Sequence, residues 1–120
     1  MKHSMKLNDE PFRLIAEGKK TVELRLLDDK RRKISVGDEI EFTSRDGKGA
    51  VLLCRVIALH TFASFDELYR TLPLFKCGYT EENISLASAS DMDLYYPREE
   101  QQRFGVVGIE IELTGASHIT

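Results

Sequence analysis

The sequence predicts an α+β domain around a small, curved or closed sheet, and three features of the 120-residue chain carry that prediction. Apolar and polar residues alternate in several short runs, the pattern of half-buried strands. Asp46-Gly47 joins two of those runs at hairpin spacing. Short helical stretches are interleaved with the strands, which favours this class over a βαβ sandwich. With 42% hydrophobic and 31% charged residues, the composition is that of one compact soluble domain over residues 1–120. Folding at this length buries roughly two-thirds of the surface that the unfolded chain exposes, so a core forms without disulfides or a structural metal.

Met5-Lys6-Leu7 is a short candidate strand, ended by Asn8-Asp9-Glu10-Pro11, where a cap and early acids announce a helix. Phe12, Ile15 and Ala16 give that helix one apolar stripe, and Gly18 is its natural stop. Val22, Leu24 and Leu26 then alternate with Thr21, Glu23 and Arg25, predicting a half-buried strand with a polar face. Residues 28–33 read as a charged loop, and 34–38 as a turn into a strand at 39–43. Residues 44–49 turn into a long β-rich run from Val51 to about Phe62, which should pair antiparallel with the strand before it. Ser64 and Glu67 fit a capping box opening a short helix that stops near Pro73. Thr80-Glu81-Glu82 opens a weak helical stretch, broken by the Ser- and Asp-rich segment 85–93. Pro97 suits the first turn of a helix over 98–103, closed by Gly105. The last strand is expected over 106–113, giving a core of about 5–113 and a frayed tail at 114–120.

The net charge of −3 argues against a general nucleic-acid coat, but the charge is uneven. Residues 1–33 hold 10 Lys/Arg against 6 Asp/Glu, including the consecutive Lys30, Arg31, Arg32 and Lys33, whereas residues 61–120 hold 4 against 10. Such asymmetry fits a localised anion-binding surface, and it equally fits a solvated loop beside a strand. Cys54 and Cys77 match no zinc or redox spacing and read as reduced, partly buried thiols. No apolar run reaches the roughly 18 residues of a membrane span, and Met1 to Met5 lack the apolar region of a signal peptide, so a cytoplasmic location and no membrane partner are expected.

The cluster that calls for a chemical explanation is Gly18-Lys19-Lys20-Thr21-Val22-Glu23-Leu24-Arg25. Gly18 permits a tight turn, and the strand that follows carries Glu23 and Arg25 two residues apart on one face. An Arg fork grips a phosphate or a base edge and a carboxylate accepts from an amine, so the pair can discriminate a polar, planar ligand. The same residues also describe a surface strand with an ordinary ion pair, in a structural or protein-interaction module without a nucleic-acid ligand.

Gly18, Lys20, Glu23 and Arg25 fill the G-x-K-x-x-E-x-R signature of the ASCH domain family, which this chain resembles from about Lys6 to Leu113. Val36-Gly37-Asp38 ahead of a strand, Tyr95-Tyr96-Pro97-Arg98-Glu99-Glu100 and the run Phe104 to Ile111 are similar to the family as well. The resemblance implies a PUA-like curved β-barrel flanked by short helices, with the four signature residues at a cleft that binds RNA. Lys20 would then contact a phosphate or carbonyl, Arg25 would hold the ligand or orient Glu23, and Glu23 would accept from an amine. Lys19 and Lys30 to Lys33 are candidate phosphate contacts at its edge. RNA or a modified nucleoside is therefore the expected partner.

Some small bacterial members of the family are amidohydrolases that remove the acetyl group from N4-acetylcytidine with a lysine, a threonine and a glutamate. The resemblance implies Lys20 as that lysine; Glu23 occupies the threonine position, Thr21 is the nearest hydroxyl, and the second-site glutamate has no match. A catalytic set of Lys20, Thr21 and Glu23 would need Lys20 to lose its proton, which a facing carboxylate opposes. His3, His60 and His118 have no metal-ligand spacing and no phosphate loop or nucleophile elbow occurs, so neither metal nor cofactor is expected. His60 reads as a hydrogen-bonded structural histidine. Phe62 and Phe65 read as core, while Tyr95 and Tyr96 fit either core or base stacking.

Overall fold

Burial alternates residue by residue along β1 (Lys2–Leu7), where His3, Met5 and Leu7 point inward. The computed structural model describes residues 1–117. After β1 come α1 (Asp9–Ala16), β2 (Val22–Leu26), α2 (Asp29–Arg32), β3 (Glu39–Ser44), β4 (Val51–Phe62), α3 (Phe65–Thr71), α4 (Arg98–Phe104) and β5 (Val106–Ser117). Between α3 and α4 the chain makes three 3-10 turns, Leu74–Cys77, Ile84–Leu86 and Ala89–Leu94. The strands form one five-stranded sheet in the order β1-β3-β4-β5-β2, antiparallel except for the parallel β1–β3 pair. The hairpin expected at Asp46-Gly47 joins β3 to β4.

The sheet is not closed into a barrel. β1 and β2 are its two edges, with no ladder between them. Side chains span that seam instead: Arg25 on β2 donates to Lys6 O at 2.9 Å, and Lys30 on α2 donates to Ser4 O at 2.9 Å. Both acceptors belong to β1, so two cations satisfy edge carbonyls that a closed barrel would pair with a strand.

Three other expectations change. The charged stretch after Asp28 is a helical turn, because the Asp28 side chain accepts from Arg31 N at 3.0 Å and pairs with the Arg31 guanidinium at 3.1 Å. The last strand continues through Ser117, since the long β4 offers partners as far as Val51, opposite Ser117. Residues 114–117 are therefore strand rather than frayed tail, while 118–120, with His118, lie outside the described residues. β2 is covered on both faces, with Glu23 as buried as its apolar neighbours.

That double burial follows from two apolar clusters on opposite sides of the sheet. Ile40, Phe42, Cys54, Val56, Val107, Ile109 and Ile111 fill the inside of the curl, under Ile15 of α1. Val22, Leu24 and Leu26 face outward and are covered by Phe65 and Leu68 of α3, with Cys77 and Met92. Glu23 pairs in register with Ile109, and Arg25 with Val107. Directly opposed residues share a face, so the polar side of β2 points into the curl, where the seam stands open. Phe65 is core, as expected, and Tyr96 stacks on it at 6.2 Å between centroids.

Candidate functional site

Glu23 sits at the centre of a buried ion triad. Its Oε1 is 3.0 Å from Lys20 Nζ and its Oε2 is 2.8 Å from Arg25 Nε. The relative exposure of the three side chains is 10% for Lys20, 5% for Glu23 and 11% for Arg25, so these are not the solvated surface pairs whose net worth is close to nil. Burial by itself pushes the Glu23 carboxyl up, but the Lys20 and Arg25 charges and hydrogen bonds outweigh it and hold the group below its ordinary value. Burial likewise opposes the Arg25 charge, and Glu23 more than restores it.

Local chain geometry places Lys20. Gly18 leaves α1 at a φ of +76°, and the N–H groups of both Lys19 and Lys20 then return to Leu14 O, which swings Lys20 inward. The Lys20 stem runs under Gly78, where an added Cβ would stand 3.3 Å from Lys20 Cδ. Gly78 also has a φ of +109°, so a side chain there would be strained and would press on the lysine.

The triad lies in the wall of a cavity of about 510 Å³ between β1, α1, β2 and the 3-10 segment. Four bases (Lys6, Lys20, Arg25 and Arg45) and three acids (Glu10, Glu23 and Asp91) line it, so its formal balance is a single positive charge. Tyr69, Tyr79, Tyr95 and Tyr96 supply aromatic surface. Cys77 also lines the cavity, but burial pushes its thiol up to about 11, which withholds the thiolate that a nucleophile needs.

Of the residues singled out in the sequence, Lys20, Glu23 and Arg25 converge here with Cys77, Tyr95 and Tyr96, whereas Gly18, Lys19, Thr21 and residues 30–33 do not line the cavity. Gly18 serves through its turn. Thr21 is held by its backbone in the sheet, donating to Lys76 O and accepting from Ile111 N. Lys19 is exposed and paired with Glu17. In the basic run, Lys30 bonds Ser4 O, Arg31 bonds Asp28 and Arg32 bonds Phe104 O, while Lys33 is exposed. His60 does bond Glu110, at 3.0 Å, with its ring about one-third exposed.

A family model described as the ASCH domain matches residues 5–115. The chain belongs to the ASCH domain family. Among solved structures, the hypothetical protein PH0355 is 35% identical over 95% of this chain and 100% of its own, with a TM-score of 0.75. Protein PF0455 from Pyrococcus furiosus, solved by NMR in solution, is 35% identical over 94% of this chain and 97% of its own, with a TM-score of 0.70. A mutant of ZmASCH from Zymomonas mobilis, at 14% identity, shares the fold over 99% of this chain and 77% of its own, with a TM-score of 0.66. No curated protein matches the chain.

This ASCH domain is thus PUA-like with its sheet left open, in a family of generally RNA-binding or hydrolase-like domains. Among its described residues no helix is long and apolar enough to cross a membrane. Sequence reasoning missed the part of the cavity lining made by Tyr69, Tyr79 and Asp91, and it missed Lys6, Arg45 and Gly78. Those residues lie on separate elements, and no local spacing announces that they meet. The Gly78 position, one residue after a buried Cys and with only glycine tolerated beside Lys20, is the nearest thing to a signal.

Proposed function

We propose that this ASCH domain binds single-stranded RNA or a modified nucleoside through one base seated in the cavity. The observation that carries the reading is the buried Lys20–Glu23–Arg25 triad in the wall of an open cavity of about 510 Å³, within the size range of small-ligand sites. Buried charge is costly, and a fold that needed only stability would do as well with apolar residues there. Lys20 and Arg25 turn their remaining N–H donors toward a carbonyl or phosphate. Glu23, held ionised, fixes both cations and is an acceptor for an amine. Lys6 and Arg45, exposed at the wall, are the phosphate contacts of the flanking chain, and Tyr95, 60% exposed, is a platform for a neighbouring base. The run from Lys30 to Lys33 has a peripheral share, since three of its four cations already bond protein groups. Two buried, reduced cysteines accord with a cytoplasmic setting.

Hydrolysis of an acylated nucleoside is the second reading, and the geometry favours it less. Lys20 is ion-paired, Glu23 is stripped of its proton, and Thr21 does not line the cavity. Titrating a short single-stranded RNA at increasing salt tests the binding reading. Two phosphate contacts give a log–log slope of about −1.4. A flat response with binding retained identifies a free nucleoside as the ligand, and RNA retention unaltered by Arg25→Glu counts against the cavity.

A further inference from the structure

The cavity that the triad lines also holds Tyr69, Tyr79 and Asp91, three polar side chains whose protons are fully accounted for. Tyr79 Oη donates to Asp91 Oδ2 at 2.7 Å, and Tyr69 Oη lies 2.6 Å from Tyr79 Oη. Tyr79 has a single proton and gives it to Asp91, so the short contact between the phenols must use the proton of Tyr69. The chain therefore runs in one direction, from Tyr69 through Tyr79 to Asp91. Its end is anchored, because Asp91 Oδ2 also accepts from Ser88 N at 3.2 Å in the capping box of the Ala89–Leu94 turn. The two rings meet edge to face at 5.8 Å, which fixes the hydroxyls in place. Burial pushes both phenols up, so each keeps its proton across the ordinary pH range.

We propose that the Tyr69–Tyr79–Asp91 chain is the specificity element of the cavity, holding Tyr69 Oη as an obligate hydrogen-bond acceptor for the exocyclic amino group of a seated base. The proposal rests on the cavity being a nucleobase site. In the same cavity Lys20 and Arg25 are donors only. A ligand must then offer an acceptor to the cations and a donor to the phenol, as an amino-substituted base does. Seated in the same way, its oxo counterpart sets a carbonyl lone pair against the lone pairs of Tyr69, and it can turn its ring N–H to the phenol only by giving up that seating.

Calorimetric titration of adenosine against inosine, and of cytidine against uridine, tests this in the wild type, Tyr69→Phe and Tyr79→Phe. The wild type should prefer the amino member of each pair by about tenfold or more. Tyr69→Phe should bring the ratio to within about twofold. Tyr79→Phe returns the Tyr69 proton to the cavity, so the oxo ligand should gain affinity in absolute terms, an effect that no mere loss of packing produces. Equal binding of both members by the wild type overturns the proposal and leaves the cavity reading intact. A preference that survives both substitutions, with all ligands weakened alike, also overturns it and assigns the chain a structural role. Failure of all four nucleosides to bind the wild type overturns the proposal together with the nucleobase site. If Tyr69→Phe fails to fold, the Tyr79→Phe variant decides, because Glu23 also accepts from an amine and only a donor returned to Tyr69 raises the affinity of the oxo ligand.

Discussion

Two groups of cations that look alike in the sequence have opposite fates in the fold. Lys20 and Arg25 are buried against one carboxylate and face a cavity, whereas Lys30 and Arg32 lie on the surface and bond a strand edge and a loop carbonyl, and Arg31, 15% exposed, is tied to its own helix cap. Formal charge is therefore a poor guide to where an anion binds. What matters is whether the fold leaves the cation's donors turned toward open space, and four adjacent bases do so less well than two cations locked on Glu23.

The contrast is broken most severely at Glu23. Glu23→Ala leaves two buried cations without a partner and should cost about 3–5 kcal/mol in urea unfolding. Acid should reach the same interaction by another route. The Glu23 carboxyl is held below 4.5 in the folded state, so its stabilisation is complete above about pH 4.5 and is lost as pH falls through the lowered value. The stability gap between wild type and Glu23→Gln should accordingly be wide at pH 7 and narrow progressively below pH 4.5; a gap independent of pH would show that the triad is not ionised. Arg25→Ala removes one ion-pair partner and a seam contact and should cost about 2 kcal/mol. Asp28→Ala deletes the cap of α2 and should cost about 1 kcal/mol. Lys30→Ala should lower stability by about 0.5 kcal/mol or less, with RNA affinity changed under twofold. A loss of RNA binding at Lys30 that exceeded the loss at Arg25 would reverse the ranking of the two groups.

Most elements were legible because their signals are local. The Asp46-Gly47 hairpin, the Ser64 cap on α3 and the Gly105 stop after α4 each depend on residues within one turn of one another. The errors arose where a distant partner intervenes. Val22, Leu24 and Leu26 looked like the inward face of β2, but α3 gives them an outer core, which turns Glu23 and Arg25 into the curl. Residues 114–117 of the expected tail became strand because β4 is long enough to pair with them. At the site, Lys20, Glu23 and Arg25 were legible as a spaced signature on one chain segment. Tyr69, Tyr79 and Asp91 were not, because a helix, a loop after a left-handed glycine and a 3-10 turn bring them together.

The sequence by itself determined the α+β class and set Glu23 beside Arg25 on one strand, since alternation, caps and i, i+2 spacing act over a few residues. Only the tertiary structure decided that the sheet stays open, that Lys20, Glu23 and Arg25 are buried, and that a directed chain of phenols lines the same cavity. Those outcomes depend on which side of β2 acquires a second apolar layer and on which carbonyls of β1 are left for side chains to satisfy. Neither is a property of any short stretch of the chain.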